Sequence, residues 1–483
     1  MATPYAYRRE ENLNFTGPHM SGRSLNVHAQ TCINWYPEVT KDTEKTKIAL
    51  MPTPGTQVVK SVGIGPHRGS IVHKGVAYYV SGNELISQST TDVFTSLGTL
   101  NTSNGRVSMA SNGSFGDQLV IVDGTDGWIY DTDATTFTII SDAQFPASPT
   151  QVVYVDSFFL VIAADSGQFN ISSSNDGTAW DALDFANAER QPDNTLAVKV
   201  LGRDIYFVGQ STTEVWTNTG GRFPFEPYAN GVLEEGTVSA WSVAKTSEGI
   251  IFVTSNERGQ GKVIGINGTN KKVLSNPTVE FHLNSYGDMS DCYAFVYEQA
   301  GHTFYQVSFP SAEKTWVFDV TMMDSELGWH QRSTNDARHI ASTHVFFNNK
   351  HYVGSYNSSS LYELSLDVNT DNGVAIKRER AGIHLQINRK RIRYDKLELE
   401  FETGVGLITG QGSDPKIILD WSDDGGHTWS NARYISIGGI GEYGKRALAH
   451  HLGTARDRVF RVRGSDPVKY VLIGAYALIE ELD

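Results

Sequence analysis

The amino-acid sequence predicts an all-β protein: a β-propeller followed by a C-terminal β-sandwich-like domain and preceded by an extended N-terminal arm. Glycine is abundant, at 46 of 483 residues, aromatic residues make up 11%, and charged residues make up only 19%. This composition is typical of many short strands joined by tight turns. No segment shows sustained 3.6-residue periodicity, so few helices are expected. The third observation is a repeated pattern of short apolar segments.

The repeated segments are intensely apolar, and each is followed by a partner segment and a polar outer segment. Their spacing is roughly 40 to 50 residues, with four short strands per unit, which is the pattern of a propeller. We predict six or seven blades, because the first and last units could complete each other or share a blade with the termini. A stack of β-sandwich domains is the alternative fold. The segments are Val76–Val80, Gln118–Val122, Phe158–Ile162, Ile205–Val208, Ile250–Val253, Phe304–Val307 and His351–Val353.

Changes in composition divide the chain into three parts. Residues 1–60 are predicted to form an arm and docking segment, residues 61–373 the propeller, and residues 374–483 the C-terminal β domain. The first 18 residues are polar and turn-prone, so this part of the arm is expected to need a partner to order it. Within the docking segment, Trp35 and Tyr36 are expected to anchor the chain to another domain.

The charge of the chain is strongly uneven. Net charge is −14, but residues 374–483 carry 17 basic against 15 acidic side chains, or +2, and the other 373 residues carry 23 against 39, or −16. An acidic body does not hold nucleic acid through its overall field. No run of about 18 apolar residues occurs, so no membrane insertion is expected. Cys32 and Cys292 are predicted to be reduced, packed thiols.

One stretch of the C-terminal part has the pattern of an Asp-box, a β-hairpin turn held by its own side chains. Ser422, Asp424, Gly426 and Trp429 follow an apolar strand. The Asp can accept backbone N–H groups, the Gly supplies a positive φ, and the Trp packs under the hairpin. We predict a structural corner beside the glycine-rich loop at 438–444. A shorter copy, from Ser174 to Trp180, lies in the propeller region.

Several segments resemble functional motifs but lack the required context. Gly439 to Arg446 fits phosphate-binding spacings, yet it lies between strand-like segments where a helix N-terminus is needed. His450-His451 has no zinc-ligand spacing. Arg222-Phe-Pro224 is weakly similar to the Arg-Ile-Pro element of sialidases, but it lies in the middle of the chain and not near the start of the propeller. We therefore predict no catalytic, cofactor or metal residues.

A cationic run comprises Arg389, Lys390, Arg391 and Arg393. It has few interleaved aromatic residues, and acidic strand residues follow directly. Such a run is typical of a solvated or subunit-facing strand, and contact with a DNA backbone is the alternative.

Two sets of residues together resemble the packaged-DNA stabilisation proteins, the tail hub or nozzle family of short-tailed bacteriophages. The N-terminal set is Arg23, Asn26, Gln30, Asn34, Tyr36-Pro37-Glu38, Leu50 and Pro54-Gly55. The C-terminal set is the more specific, and consists of Leu419 to Ser430, Gly441-Glu-Tyr443, Arg446, Leu452 to Phe460 and Asp466-Pro467. The resemblance spans the whole chain, although its propeller region is only weakly patterned.

The resemblance implies a structural virion protein, not an enzyme. It implies a hexameric ring below the portal or a head-to-tail adaptor, which retains packaged DNA and forms part of the ejection channel. The implied partners are further copies of the chain, the portal or adaptor, spike, fibre or needle proteins, and DNA bound without sequence specificity. The implied location is the virion tail, assembled in the host cytoplasm. The alternative function is a propeller-type glycan-binding or sialidase-like glycoside hydrolase tail protein.

Overall fold

A computed structural model describes residues 8–40, 46–188, 193–256 and 259–482. Strands dominate this part of the chain, and they include 43 labelled β1 to β43 in chain order. The described residues contain one α-helix, α1 (Pro277–Ser285), and two short 3-10 helices, Ala240–Ser242 and Val320–Met322. No helix within these ranges is long and apolar enough to cross a membrane. The all-β prediction is therefore confirmed.

Six strands precede the first complete repeat. They are β1 (Arg8–Asn12), β2 (Met20–Ser21), β3 (Ala29–Ile33), β4 (Trp35–Val39), β5 (Ile48–Pro52) and β6 (Gly55–Ser61). Residues 8–12 were expected in an arm that needs a partner, but β1 pairs with the last strand of the same chain. Residues 1–7 of that predicted arm lie outside the described residues.

In the described part of the chain the propeller consists of seven blades of four antiparallel strands, called blades 1 to 7. Blades 1 to 5 are separate sheets, whereas blades 6 and 7 belong to larger ones. Blades 1 to 3 are β7 (His67–His73), β8 (Val76–Ser81), β9 (Glu84–Gln88), β10 (Phe94–Thr99); β11 (Ser108–Ser111), β12 (Gln118–Val122), β13 (Gly127–Asp131), β14 (Thr136–Ile139); and β15 (Pro149–Val155), β16 (Phe158–Ala163), β17 (Gln168–Ser173), β18 (Asp176–Asn187). Blades 4 and 5 are β19 (Thr195–Leu201), β20 (Asp204–Gly209), β21 (Thr213–Asn218), β22 (Phe225–Leu233); and β23 (Ala244–Thr246), β24 (Gly249–Ser255), β25 (Gly261–Asn267), β26 (Asn270–Val273). Blade 6 is β27 (Tyr293–Gln299), β28 (His302–Phe309), β29 (Lys314–Asp319), β30 (Trp329–Arg332), and blade 7 contains β31 (Ala341–Phe347), β32 (Lys350–Ser355) and β33 (Ser360–Ser365).

The seventh blade is a composite that closes the ring. Its outer strand is β6, which pairs antiparallel with β33, so the two ends of the propeller region share one sheet. The first strands of successive blades lie side by side, and β31 lies beside β7. Because the ring is sealed by backbone hydrogen bonds between distant segments, opening it requires the loss of a whole strand pair.

The second strand of each blade has an apolar centre because both of its faces are buried there. In β12, Leu119 and Ile121 pack into a cluster shared with blade 1, whereas Val120 and Val122 pack into one shared with blade 3. Successive side chains of a strand point to opposite faces of the sheet. When the sheet lies between two others, both faces are buried, so the strand has a continuous apolar sequence. This is why the repeat was visible in the sequence.

The C-terminal part is a sandwich of two sheets. Its strands are β34 (Thr370–Asp371), β35 (Val374–Ala375), β36 (Arg378–Ala381), β37 (Ile392–Phe401), β38 (Lys416–Ser422), β39 (Arg433–Ser436), β40 (Ala447–His450), β41 (Thr454–Ala455), β42 (Val459–Gly464) and β43 (Leu472–Glu481); the first two belong to the sheet of blade 7. One sheet has the order β4-β5-β43-β37-β40, and the other has β36-β42-β38-β39. Leu397 and Ala475 of the first sheet belong to the same buried cluster as Leu419 and Val462 of the second.

The propeller and the sandwich share one sheet. Strand β3 pairs in parallel with β30 of blade 6 on one side, and antiparallel with β36 of the sandwich on the other. The ten-stranded sheet therefore runs without a break from one domain into the other, and the N-terminal segment supplies its connecting strand.

Candidate functional site: the interdomain joint and its neighbouring surfaces

Two consecutive residues of the N-terminal segment insert into different cores. Trp35 is fully buried in the sandwich core, and its Nε1 donates a hydrogen bond to the Tyr470 carbonyl oxygen at 2.7 Å. Tyr36 packs edge-on against Phe304 of blade 6, with ring centroids 5.2 Å apart. Because β4 alternates its faces, one strand anchors both domains. The anchoring role predicted for both residues is confirmed.

Asn34 turns the chain between β3 and β4 at the centre of this joint. Its φ is +57°, a conformation that Asn tolerates better than most residues. Its Nδ2 donates to the carbonyl oxygens of Ser333 (2.9 Å) and Lys377 (2.8 Å), and its Oδ1 accepts from Ser333 N at 2.9 Å. One buried amide thus joins the end of blade 6 to the start of the sandwich.

The buried guanidinium of Arg380 holds the N-terminal segment to the sandwich. It donates to the carbonyl oxygens of Phe15 (2.7 Å), Pro18 (2.7 Å) and Thr31 (3.1 Å), and to Gln30 Oε1 at 2.7 Å. Burial lowers the pKa of Arg380 to about 10. Neutral oxygen atoms accept all of these hydrogen bonds. Because the acceptors are spread from residue 15 to residue 31, the guanidinium fixes the path of the chain over this segment.

A second buried polar layer lies where blade 7, blade 6 and the sandwich meet. Arg332 Nη2 donates to the Pro54 carbonyl oxygen at 2.7 Å. The Asp371 carboxylate accepts from Thr56 Oγ1 at 3.1 Å and Thr334 Oγ1 at 2.9 Å. Burial raises the pKa of Asp371, although the nearby Arg332 opposes that shift. These contacts join the end of blade 6 to the sheet of blade 7 and to the chain segment that enters that sheet after β5.

The predicted Asp-box turn has the expected hydrogen bonds. The Asp424 carboxylate accepts from Ser422 Oγ (2.6 Å), Thr428 Oγ1 (2.6 Å), Thr428 N (2.8 Å) and His427 N (3.0 Å), and Gly426 N donates to Ser422 Oγ at 2.7 Å. The hydrogen bonds from Ser422 and Thr428 hold the pKa of Asp424 well below its usual range. All partners lie within six residues of one another, so the turn is a local structure.

The Asp-box packs against the N-terminal segment and not beside the glycine-rich loop as expected. A Cβ added at Gly425, where φ is +76°, would lie 2.1 Å from Asn26 Oδ1. Trp429 packs on a small cluster that includes Ala29, and the Arg461 guanidinium lies 3.8 Å above its ring. The loop at 438–444 begins at the opposite end of the β38–β39 hairpin, because Lys416 pairs with Ser436 there.

Replacing Asp424 with alanine is expected to lower the Tm and expose the turn to proteases, because four donors lose their acceptor at once. Thermal unfolding and limited proteolysis between residues 423 and 429 measure the two effects. His427→Ala is the matched control, since only the backbone N–H of His427 is used. An unchanged Tm and an uncleaved turn in Asp424→Ala would contradict a structural role for this carboxylate.

The four predicted cations do not act as one group. Arg393 is half-buried and pairs with Asp395 at 2.9 Å and with Glu480, and Lys390 pairs with Glu481 at 3.0 Å. Arg391 Nη2 donates to Thr454 Oγ1 at 3.2 Å, and Arg389 is exposed. Strand β37 begins only at Ile392, so the first three cations lie in the turn before it.

The segments that resembled catalytic or ligand-binding motifs are placed as follows. The glycine-rich loop is followed by strand β40 and not by a helix, so it lacks the helix N-terminus that binds phosphate in such motifs. Arg222 is exposed in the turn between β21 and β22, at the outer edge of blade 4. Within the described ranges, no three His, Cys, Asp or Glu side chains are grouped to hold a metal ion.

The Arg106 side chain lies across the centre of the propeller. Its position precedes the first strand of blade 2, yet its Nη2 donates to the Ser342 carbonyl oxygen of blade 7 at 2.7 Å. The guanidinium stacks 4.0 Å above the Tyr293 ring of blade 6, and it lies 5.9 Å from the Trp241 ring before blade 5. Removal from water lowers the pKa of Arg106 to about 10. This residue bridges blades 2, 6 and 7 beside a cavity lined in part by Gln151 and Thr195. No local sequence signal indicates this role.

Two family models match the chain and together cover its two domains. One is described as "Bacteriophage P22 Gp10, beta-propeller" and matches residues 18–369; the other is described as "Bacteriophage P22 Gp10, beta-sandwich" and matches residues 377–480. The chain belongs to the bacteriophage P22 Gp10 family. The resemblance to packaged-DNA stabilisation proteins is therefore confirmed, as are the propeller and the C-terminal sandwich.

Membership of the Gp10 family indicates what kind of protein this is. It is a phage tail structural protein of the family that stabilises packaged DNA, and the family implies a non-enzymatic role and a location in the virion. Two of the Arg380 acceptors, Gln30 and Thr31, and the whole Asp-box lie in segments that carried the resemblance, namely residues 23–38 and 419–430. Those residues hold the N-terminal segment in place between the two domains.

Comparison with curated proteins finds no match. Solved structures with partial similarity include the N-terminal domain of Nup159 (12% identity, 68% of this chain and 98% of that chain, TM-score 0.39). The Pan2 WD40 domain of Neurospora crassa (9%, 68% and 97%, 0.43) and the computationally designed Ika8 protein (10%, 70% and 99%, 0.39) are others. Similarity at this level carries no argument about function.

Proposed function

We propose that the chain is one subunit of a hexameric hub or nozzle ring that attaches below the portal or a head-to-tail adaptor. In this role it retains packaged DNA and forms part of the channel through which DNA leaves. Spike, fibre or needle proteins are the further partners, and assembly takes place in the bacterial host cytoplasm. Family membership supports this proposal, and the observation that carries it is the Arg106 side chain, which spans the centre of the propeller.

Arg106 spans the centre of the propeller, because its side chain links blade 2 to blade 7 and stacks on blade 6. A side chain in this position leaves no room for double-stranded DNA along the axis of a single subunit. A conduit must therefore lie between several copies of the chain. The shared sheet through β3 supports such an arrangement, because it makes propeller and sandwich one block that can be a wall element.

The charge of the chain suits a conduit through which DNA slides. The phosphate backbone binds proteins mainly through Lys and Arg contacts, so a surface rich in Asp and Glu does not retain it. Residues 1–373 carry 39 acidic against 23 basic side chains. We therefore propose that the inner wall of the ring is lined by carboxylates from the propeller part.

The expected result for purified protein is a ring of six subunits with a continuous central channel. Native mass spectrometry gives the subunit number, and cryo-electron microscopy of the ring or of purified tails gives the wall residues. A lumen rich in Lys and Arg would contradict the sliding mechanism while leaving the ring intact. A stable monomer that binds or cleaves a glycan would instead support the alternative function as a sialidase-like or glycan-binding tail protein.

A further inference from the structure

The turn before β37 presents an unusual group of cations at one end of the sandwich. Asn388 and Arg389 both have positive φ, +48° and +58°, a conformation that is uncommon for an arginine. The turn is closed by a hydrogen bond from Lys390 N to the Ile387 carbonyl oxygen at 2.9 Å, and the C-terminal strand end is tied to it through Leu482 N and Arg391 O at 2.8 Å. The backbone is therefore held, and its side chains project from a fixed turn.

Three arginines at this turn have no carboxylate partner within the described parts of the chain. Arg389 and Arg391 belong to the turn, and Arg456 is exposed beside it. Arg456 Nη1 donates to the Arg389 carbonyl oxygen at 2.7 Å, and Arg391 Nη2 donates to Thr454 Oγ1 at 3.2 Å. Neutral acceptors thus position two of the guanidinium groups without cancelling their charge. We call Arg389, Arg391 and Arg456 the arginine patch.

The arginine patch differs from most other cations of the same sheet, which have a carboxylate partner. Lys390 pairs with Glu481, Arg393 with Glu480, and Arg446 with Glu398. A guanidinium offers several N–H donors in a planar fork that matches a carboxylate or a phosphate. A positioned, unpaired cluster of three such groups fits an anionic partner surface.

We propose that the arginine patch docks onto the acidic propeller surface of a second copy of this chain. This inference rests on the ring proposed above and assigns one of its subunit contacts. A second copy offers the complementary charge, because residues 1–373 have a net charge of −16 and residues 374–483 a net charge of +2. DNA is the less suitable occupant, because three cations must hold it against the field of a chain whose net charge is −14.

The test compares two triple variants of the full chain by native mass spectrometry and sedimentation over a range of salt concentrations. Arg389→Ala/Arg391→Ala/Arg456→Ala removes the arginine patch. Arg222→Ala/Lys245→Ala/Lys262→Ala is the matched control: it removes three cations of the propeller that also lack a carboxylate partner among the described residues. Circular dichroism and Tm confirm that both variants fold.

The expected result is that the patch variant assembles at least about tenfold more weakly than the wild type, with a smaller dependence on salt, because interfacial charges govern encounter and salt response. The control variant should assemble at least as strongly as the wild type, because it keeps the arginine patch and makes the propeller part more acidic. Equal assembly of both variants would overturn the proposal but leave the ring standing. A patch variant that forms normal rings and loses binding to a short DNA duplex would also overturn it, in favour of DNA. A wild-type chain that stays monomeric would overturn both the ring and this contact.

Discussion

Replacing Trp35 with alanine is expected to destabilise the sandwich by about 3–5 kcal/mol, the range for truncating a large buried aromatic residue. The indole is fully buried, and its hydrogen bond to the Tyr470 carbonyl oxygen is lost as well. Because Trp35 belongs to the strand that also anchors Tyr36 in blade 6, the connection between the domains should weaken. Urea unfolding monitored by circular dichroism should then show the sandwich unfolding before the propeller.

Two control variants separate the contributions to this effect. Trp35→Phe keeps most of the apolar volume and removes the indole N–H, so a loss of about 1–3 kcal/mol is expected from the unsatisfied carbonyl. Val39→Ala alters the same strand at a position that is 52% exposed, and it should change stability little. A Trp35→Ala variant that unfolds in one transition at the wild-type midpoint would show that β4 does not couple the two domains.

Mild acid is expected to destabilise the fold strongly, because several histidines are buried in the neutral form. Burial lowers the pKa of His19, His330 and His344 to about 3, and that of His67 to about 4, from the ordinary value of 6.5. Below pH 6.5 the unfolded chain therefore binds protons that the folded chain does not. Stability is fully present above pH 6.5 and falls as the pH approaches the folded-state values.

The expected magnitude is about 1.4 kcal/mol per pH unit for each such histidine, or about 2 kcal/mol each at pH 5. Asp371 and His302 act in the opposite direction, because burial raises the pKa of Asp371 and the hydrogen bond to Asp319 raises that of His302, so acid favours the folded state at both. Four histidines outweigh these two groups. Urea midpoints measured between pH 7.5 and pH 5 should fall steeply over this window.

A single substitution tests the cause of this pH dependence. Both ring nitrogens of His330 are buried without a hydrogen-bond partner, so His330→Leu removes the protonation site and leaves no polar group unsatisfied. The slope of stability against pH should decrease by about 1.4 kcal/mol per unit between pH 6.5 and pH 5. His427→Leu changes an exposed ring in the Asp-box turn and should leave the slope unchanged. Equal slopes for the wild type and His330→Leu would contradict the explanation.

Features whose partners are close in sequence were predictable from the sequence. The hydrogen bonds of the Asp-box involve only residues from Ser422 to Thr428. The apolar sequence of the second strand of each blade indicates by itself that both faces of the strand are buried. The family resemblance likewise rested on local strings of residues. The number of blades stayed between six and seven because the seventh blade is completed by β6, which lies more than 290 residues away from its partner strand.

Features that depend on distant partners were missed or misplaced. Arg380 has no local sequence signal that marks it as buried, because its acceptor at Phe15 lies 365 positions away. The Asp-box was expected beside the loop at 438–444, because sequence proximity suggested it. Its neighbour is Asn26, brought there by the pairing of β3 with β36.

The sequence by itself determined the class of fold, the repeat, the local turn and the family, because strand periodicity and turn chemistry act over a few residues. Only the tertiary structure decided how the N-terminal segment joins the two domains, which arginines are buried, and that Arg106 bridges blades 2, 6 and 7. Burial of a charged group depends on acceptors supplied by remote strands. Backbone pairing between segments hundreds of residues apart sets those positions, and no local pattern encodes it.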